Sequence, residues 1–281
     1  MILISIALLS LISSVLLVTL THMVGVWYEF YFYILFFMAF YLAYFLVFLV
    51  WVIIYTSLYN PKNGPKPTKF THRLLKRACE TLLQMGLIRI HVRGIDKIPQ
   101  EKKCLFVQNH ISNYDPIASI WALRYFDFSF IYKNNLDKAP FVGKMLLKDN
   151  HISLNRNNNR EGLEAIVKAI RLIEKGERNI FVYPEGTRSK TGEIASFHSG
   201  TFKIAEKTKC PIVVLSIENG DAFKYRFPRP THIYIDVVKV LEYDDYKDMN
   251  TNELSIYVHN LIEDSLKELE EIKYKKHKKS L

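Results

Sequence analysis

Two apolar runs flank a single acidic residue at the start of this chain. Met1 to about Val26 and Phe30 to about Tyr59 are separated by Glu29, and the first 60 residues contain no Lys or Arg. A bilayer core of about 30 Å takes about 20 apolar residues as a helix, so both runs are long enough to cross it. A cleaved signal peptide fits the first run poorly. No Lys or Arg precedes it, it has no clear small-x-small site, and a second apolar run follows at once. The second run is crowded with Phe and Tyr between Phe30 and Phe45, and Tyr hydroxyls prefer the headgroup zone. A helical hairpin that spans the bilayer and one that enters a single leaflet and returns both satisfy this pattern.

All 38 Lys and Arg of the 281 residues lie in 61–281, against 27 Asp and Glu, so this part carries a net charge of +11. A membrane anchor joined to a basic domain follows. Lys62, Lys66, Lys69, Arg73, Lys76 and Arg77 come directly after the second run, with no acid until Glu80. The positive-inside rule places this segment and the domain beyond it on the cytoplasmic face of the cell membrane. Such a cluster is either a solvated helix face or a contact for anionic membrane lipid, at about 1 kcal/mol per basic residue near the surface. The 49% hydrophobic and 14% aromatic content excludes intrinsic disorder. Three scattered cysteines, Cys79, Cys104 and Cys210, without a CxxC, exclude a disulfide scaffold and argue against a Cys-based metal site.

The expected organisation is a membrane-anchoring hairpin over 1–59, a linker over 60–70, a catalytic-sized domain over 71–272 and a basic tail over 273–281. Three prolines and a glycine in 60–68 break any helix there. Helices are predicted over 71–85, 116–125, 161–175 and 252–272. The second has Asp115 as N-cap and Pro116 at its first position. The third has Leu163, Ile166, Val167, Ile170 and Ile173 as its apolar face and Gly176 as its stop. Ile88–Val92, Cys104–Gln108, Ile180–Tyr183, Ile212–Ile217 and His232–Val240 read as strands. Strands alternating with helices predict an α/β domain.

Two segments carry chemistry. Asn109-His110-Ile111-Ser112-Asn113-Tyr114-Asp115 follows one strand and precedes a helix, where α/β sheets place ligand sites. A carboxylate folded back onto the imidazole would fix its tautomer and leave Nε2 to take a proton. The plainer reading makes Asp115 only a cap and His110 a loop residue. The second segment, Phe181-Val182-Tyr183-Pro184-Glu185-Gly186-Thr187-Arg188-Ser189, runs from a strand into a turn. Its Gly186 permits close ligand approach, and Arg188 suits phosphate oxygens, with Thr187, Ser189 and Lys190 as further donors. An exposed turn with an incidental ion pair is the alternative.

Taken together, Asn-His-x4-Asp and, 75 residues after the His, Pro-Glu-Gly-Thr-Arg-Ser resemble the glycerolipid acyltransferase family, best known for its 1-acyl-sn-glycerol-3-phosphate acyltransferases. Pro140-Phe141-Val142-Gly143 with Ile152-Ser153-Leu154-Asn155-Arg156-Asn157-Asn158 resembles the family's second block. The stretch Phe197–Ala205 resembles the glycine-bearing segment after the third, and Cys210-Pro211-Ile212-Val213-Val214 the fourth. The resemblance covers roughly 85–220. Asn155 stands where the family often has Asp, and Val214 where it often has Pro.

The resemblance implies a mixed central sheet flanked by helices, preceded by the two-helix membrane motif. It implies transfer of a fatty acyl group from acyl carrier protein or coenzyme A to the sn-2 hydroxyl of lysophosphatidic acid. It makes His110 the general base and Asp115 its orienting partner. Glu185, Gly186, Thr187, Arg188, Arg156 and Asn109 would bind substrate. A thioester is already activated, so no enzyme nucleophile is required. The tetrahedral oxyanion needs donors, for which backbone amides of the Asn109–Ser112 loop are candidates. No metal and no cofactor beyond the thioester co-substrate are expected: the nine histidines form no HxxxH or HExxH pattern. The basic domain would attract the phosphorylated acceptor and the acidic donor. Rival readings are another acceptor, such as glycerol 3-phosphate or a different lysolipid, a silent lipid-binding scaffold, and a basic nucleic-acid-binding protein. The retained His110, Asp115, Glu185 and Arg188 argue against the scaffold, and no nucleic-acid partner is expected.

Overall fold

In the computed structural model the described residues are 2–21, 29–139, 141–155, 158–187, 194–222, 226 and 228–279. Helices α1 (Ile2–Leu20) and α2 (Glu29–Ser57) pack on one another as a hairpin. Ser13 Oγ and Tyr44 Oη meet at 2.8 Å between them. Ser10 and Ser14 return their hydroxyls to the carbonyls of Ile6 and Leu11, which satisfies polar groups that an apolar solvent would not. Large side chains such as Leu35, Met38, Leu42, Leu46 and Val50 face outward along α2. Both helices are long and apolar enough to cross a membrane.

The end of α2 has a different job. At 1.5 Å per residue α2 is about 44 Å long, more than the bilayer core requires. Its last turns dock on the following domain. Trp51 and Tyr55 pack edge-on against Phe70 at 5.7 and 5.4 Å, Tyr55 Oη meets Thr71 Oγ1 at 2.8 Å, and Lys148 Nζ sits 3.6 Å from the Tyr55 ring centre. The segment after it is pinned: Tyr59 Oη donates to Gly64 O, and Lys66 N donates to Lys148 O. Thr68 then caps α3 (Lys69–Met85) by accepting from Thr71 N at 3.0 Å. That cap starts the helix two residues before the sequence pattern places it. Of the basic cluster, Lys76 turns into the domain, toward Arg124 O and Asp127.

Seven strands form one mixed sheet: β1 (Ile88–Arg93), β2 (Leu105–Gln108), β3 (Phe128–Lys133), β4 (Ile152–Leu154), β5 (Asn179–Val182), β6 (Ile212–Glu218) and β7 (Thr231–Leu241). Their order is β1-β7-β6-β2-β5-β3-β4, and only β6 and β7 run antiparallel. The expected α/β class, with helices on a mixed sheet, is what forms. Helices α4 (Asp115–Ala122), α5 (Val142–Lys148), α6 (Asn159–Glu174), α7 (Lys203–Thr208) and α8 (Thr251–Lys279) complete the domain. All four β2 residues are buried, as for a strand covered on both faces. On one face Phe106, Phe128, Phe130 and Phe181 form an aromatic layer under α3 and α4. On the other, Leu105, Val107, Ile180, Val182, Ile212 and Val214 meet α6, α7 and α8. All three cysteines are buried free thiols, and burial pushes Cys79 and Cys104 up to about 12.

Several expectations need correction. Asp115 is not the cap of α4: Tyr114 holds that position and Asp115 is already helical, with Pro116 second. The helix ends at Ala122, not at 125. The apolar face of α6 is only in part the one read in sequence: Ile173 is buried and Ile166 and Ile170 pack against the core. Ala165, Ala169, Leu172 and Ile173 are buried, whereas Leu163 is 60% exposed and Val167 also faces outward. Small alanines let α6 approach the sheet closely, so the buried stripe is not the one with the largest residues. Strands β3 and β4 and helix α5 were not foreseen, and α8 continues as helix through Lys279, into the stretch read as a tail.

Candidate active site

Register brings the two motif segments together. Strands β2 and β5 pair in parallel with Val107 opposite Val182. The chain leaving each strand, 109–115 and 183–187, therefore emerges side by side at the same sheet edge. Asn109 fixes the first exit. It is 1% exposed, and its amide both donates to Ile217 O (3.0 Å) and accepts from Ile217 N (2.8 Å). Both ends of the amide thus bond the main chain of β6, which makes Asn109 a clamp between strand ends.

The loop after Asn109 wraps around the carboxylate of Asp115, which is fully buried. Asp115 Oδ2 accepts from Ile111 N (2.6 Å), Ser112 N (2.7 Å) and His110 Nδ1 (2.9 Å). An oxygen already taking two N–H donors can meet the ring only as an acceptor. His110 therefore carries its proton on Nδ1, and Nε2 is the basic nitrogen. The ring is fixed on its face as well: Tyr183 stacks on it with centroids 4.3 Å apart. Burial raises the Tyr183 phenol well above 10, with Asp115 adding to the effect, so this aromatic partner remains neutral. Tyr183 was part of the motif read in sequence but had no role. Its place, one residue past a strand parallel to the His-bearing strand, was the signal for one.

Glu185 joins the two segments. It is 4% exposed, with Oε1 on His110 N (2.6 Å) and Oε2 on Ala195 N (3.0 Å). Burial raises its pKa, while these two amides act the other way. Both oxygens face backbone donors, so the observed contacts of Glu185 brace the loop that carries His110. Gly186 sits at φ +70°, a left-handed conformation that favours glycine, and donates to Tyr183 O at 3.1 Å. Thr187 is exposed beside it. Arg188 and Arg156, the expected phosphate contacts, lie outside the described residues, as do Ser189 and Lys190.

The expected oxyanion donors need revision. The amide of His110 is held by Glu185, and those of Ile111 and Ser112 by Asp115. These three N–H groups shape the loop instead of pointing into a site, so they are not free to serve as oxyanion donors. Among the described residues no group of three or more His, Cys, Asp and Glu side chains is placed to hold a metal ion. The edge does offer a half-buried imidazole with a fixed tautomer, an open basic nitrogen and a carboxylate behind it. That arrangement suits proton abstraction from a hydroxyl.

Comparison with known proteins identifies the relatives of this chain. A family model described as acyltransferase matches residues 89–218, which include both segments. The 1-acyl-sn-glycerol-3-phosphate acyltransferase of Borreliella burgdorferi is 32% identical over 181 residues, covering 61% of this chain and 72% of that protein. The enzyme of the same name from Haemophilus influenzae is 26% identical, over 62% of this chain and 75% of that one. The one from Cocos nucifera is 28% identical, and the match spans only 54% of its length. The crystal structure of the 1-acyl-sn-glycerophosphate acyltransferase PlsC from Thermotoga maritima superposes with a TM-score of 0.61. It is 22% identical, and the match covers 80% of this chain and 89% of that one, so it establishes the shared fold. With the motifs adjacent at one sheet edge and a relative matched over nearly three quarters of its length, the chain belongs to the acyltransferase family that includes the 1-acyl-sn-glycerol-3-phosphate acyltransferases.

Proposed function

We propose that this protein acylates the free sn-2 hydroxyl of lysophosphatidic acid, forming phosphatidic acid for phospholipid synthesis, with His110 as general base. The observation that carries this reading is the 2.9 Å contact between His110 Nδ1 and Asp115 Oδ2 at the end of a central strand. His110 Nε2 takes the hydroxyl proton as that oxygen attacks the thioester carbonyl. The tetrahedral intermediate then collapses, the C–S bond breaks, and the imidazolium returns the proton to the departing thiol. Asp115 stabilises the imidazolium between these two transfers. No acyl-enzyme forms. The donor is the thioester of acyl carrier protein or coenzyme A, and both are acidic partners for a domain of net charge +11.

Gly186, Thr187, Arg188 and Arg156 would bind the glycerol phosphate. In this reading Glu185 and Asn109 serve binding indirectly, by holding the loops in place. The apolar hairpin keeps the catalytic domain at the cytoplasmic face, where the basic segment after it meets anionic lipid. Anchoring spares the acceptor's chain from leaving the bilayer, a step that would cost about 0.8 kcal/mol per CH₂.

Acyl transfer by the purified protein in lipid micelles tests this. Lysophosphatidic acid is compared with glycerol 3-phosphate and lysophosphatidylcholine, each with both thioester donors. Fast turnover on lysophosphatidic acid alone supports the assignment and identifies the carrier. Turnover only on another acceptor moves the substrate and keeps the mechanism. Undiminished turnover by His110→Ala would remove the assigned base.

A further inference from the structure

The carboxylate behind His110 is used unevenly. Oδ2 of Asp115 receives three donors, while Oδ1 is buried and has no hydrogen-bond partner. An ordinary carboxylate in that position would rotate to share its donors, or would admit water to the bare oxygen, because leaving a buried acceptor unsatisfied is costly. Against Oδ1 lies Gly220. A Cβ built on Gly220 would overlap Asp115 Oδ1, lie 3.2 Å from Asp115 Cγ and 3.4 Å from Ser112 Cβ. The hydrogen that occupies this direction therefore points at the oxygen, a weak C–H donor and a lid against water.

The approach is built into the fold. Gly220 follows β6 in a turn where Asn219 takes φ +63° and donates its side-chain amide to His232 O, and Ala222 N closes on Asn219 O. Three residues earlier, Ile217 is clamped by Asn109 on both its N–H and its carbonyl. The residue next to His110 in sequence thus sets where the β6 turn lies, and that turn sets what touches Asp115.

We propose that Gly220 is a positioning residue for the His110–Asp115 pair. It seals Asp115 Oδ1 from water and prevents the carboxylate from rotating, so that Oδ2 stays on His110 Nδ1. This rests on the dyad reading of the site. A methyl group at 220 would strike Asp115 Oδ1 first and push the carboxylate out of line.

The test is a double-mutant cycle in the full-length protein in micelles, with Gly220→Ala made in the wild type and in Asp115→Ala. Asp115→Ala removes both oxygens and leaves room for the new methyl. The expected result is a fall in kcat of about 10²-fold for Gly220→Ala alone. Its KM for the acceptor stays near wild type, and the acid limb of its kcat/KM profile shifts. In the Asp115→Ala background the same change alters kcat by less than about twofold. A fall of equal size in both backgrounds, or a wild-type rate for Gly220→Ala, overturns the proposal. If Gly220→Ala alone does not fold, recovery of folding in the double variant reports the same coupling, and failure of both to fold overturns it. Wild-type turnover by Asp115→Ala would instead sink the dyad reading itself.

Discussion

The molecule builds two His–Asp arrangements at opposite edges of one sheet, and they are wired differently. At the edge where β2 and β5 end, His110 has a carboxylate on Nδ1 only, and its other nitrogen remains open. At the edge where β3 and β5 begin, His72 is occupied on both sides, with Nδ1 on Asp149 at 3.0 Å and Nε2 on Asp127 at 2.8 Å. The second contact is at ion-pair distance but off the hydrogen-bond direction. Asp149, fully buried, also faces Arg178 and His151, each at 3.4 Å. His151 Nδ1 in turn accepts from Phe130 N. A histidine between two carboxylates has no nitrogen left to exchange a proton with substrate. In the proposed reading the same two residue types serve chemistry at one edge and cohesion at the other, and the number of partners per ring separates the roles.

The sharpest way to break this comparison is to remove each ring. His110→Ala is expected to lower kcat by at least about 10³-fold, the scale of general-base and dyad losses. Its melting temperature should stay close to wild type, because the ring is held by one side-chain bond and one stacking contact. A large activity loss on removal of His72, at matched folded fraction, would contradict the division of labour.

The next largest effect belongs to Asp149. Its carboxyl lies below the usual range: burial opposes the charge, but hydrogen bonds from His151 and His72 and the nearby Arg178 outweigh it. Asp149→Ala strands Arg178 and His72 beside a buried gap, which costs about 3–5 kcal/mol for a broken buried ion pair. Chemical denaturation of the purified protein reads this loss directly. Turnover per folded molecule should remain near wild type.

Much of this was legible in the sequence. The two long apolar helices, the α/β class and the two motif segments at the strand ends follow from apolar runs, alternating periodicity and motif spacing, which are local properties. Glu185 and Asn109 are substrate contacts only by the family resemblance. Their main-chain partners, Ala195 and Ile217, are distant in sequence and have no side-chain signature. Leu163 and Val167 were wrongly put on the core face of α6 because they outweigh Ala165 and Ala169 in any apolar count, although the sheet selects small residues where a helix must come close. Gly220 gave no signal at all, since its effect depends on what a missing Cβ would strike. The second His–Asp cluster was invisible for the same reason: His72, Asp127 and Asp149 meet only after α3 packs on the sheet.

A smaller and pH-dependent effect is expected for His72→Gln. Burial lowers the His72 pKa, but Asp127 and Asp149 outweigh it, and the net shift is upward from 6.5. A raised histidine stabilises the fold fully below its unfolded pKa of about 6.5, and that contribution is lost as pH rises through the folded value. The partner on the solvent side, Asp127, is held down at about 2, chiefly by its close contact with His72. Its contribution is present above about 4, the unfolded value, and is lost as pH falls toward 2. The pairing is therefore strongest between about pH 4 and 6.5. The melting-temperature gap between wild type and His72→Gln should be widest near pH 5.5 and narrow steadily toward pH 9. A gap that widens with pH would mean that His72 is held neutral, against the upward shift expected from its two carboxylates.

The smallest effect separates the two carboxylates on His72. Asp127 is 60% exposed at its side chain, whereas Asp149 is fully buried, yet both lie within 3.0 Å of the same ring. Exposed pairs gain little because water screens them and long side chains lose freedom, with typical values of about 0–1 kcal/mol. Lys76 Nζ, at 3.8 Å from Asp127, adds a second weak contact of the same kind. Asp127→Asn should thus cost less than about 1 kcal/mol in denaturation, and most of that cost should vanish in high salt. Asp149→Ala should remain costly in the same salt, since ions do not reach it. Equal salt sensitivity of the two variants would mean that water reaches Asp149, and the edge would then be an open charge cluster instead of a sealed one.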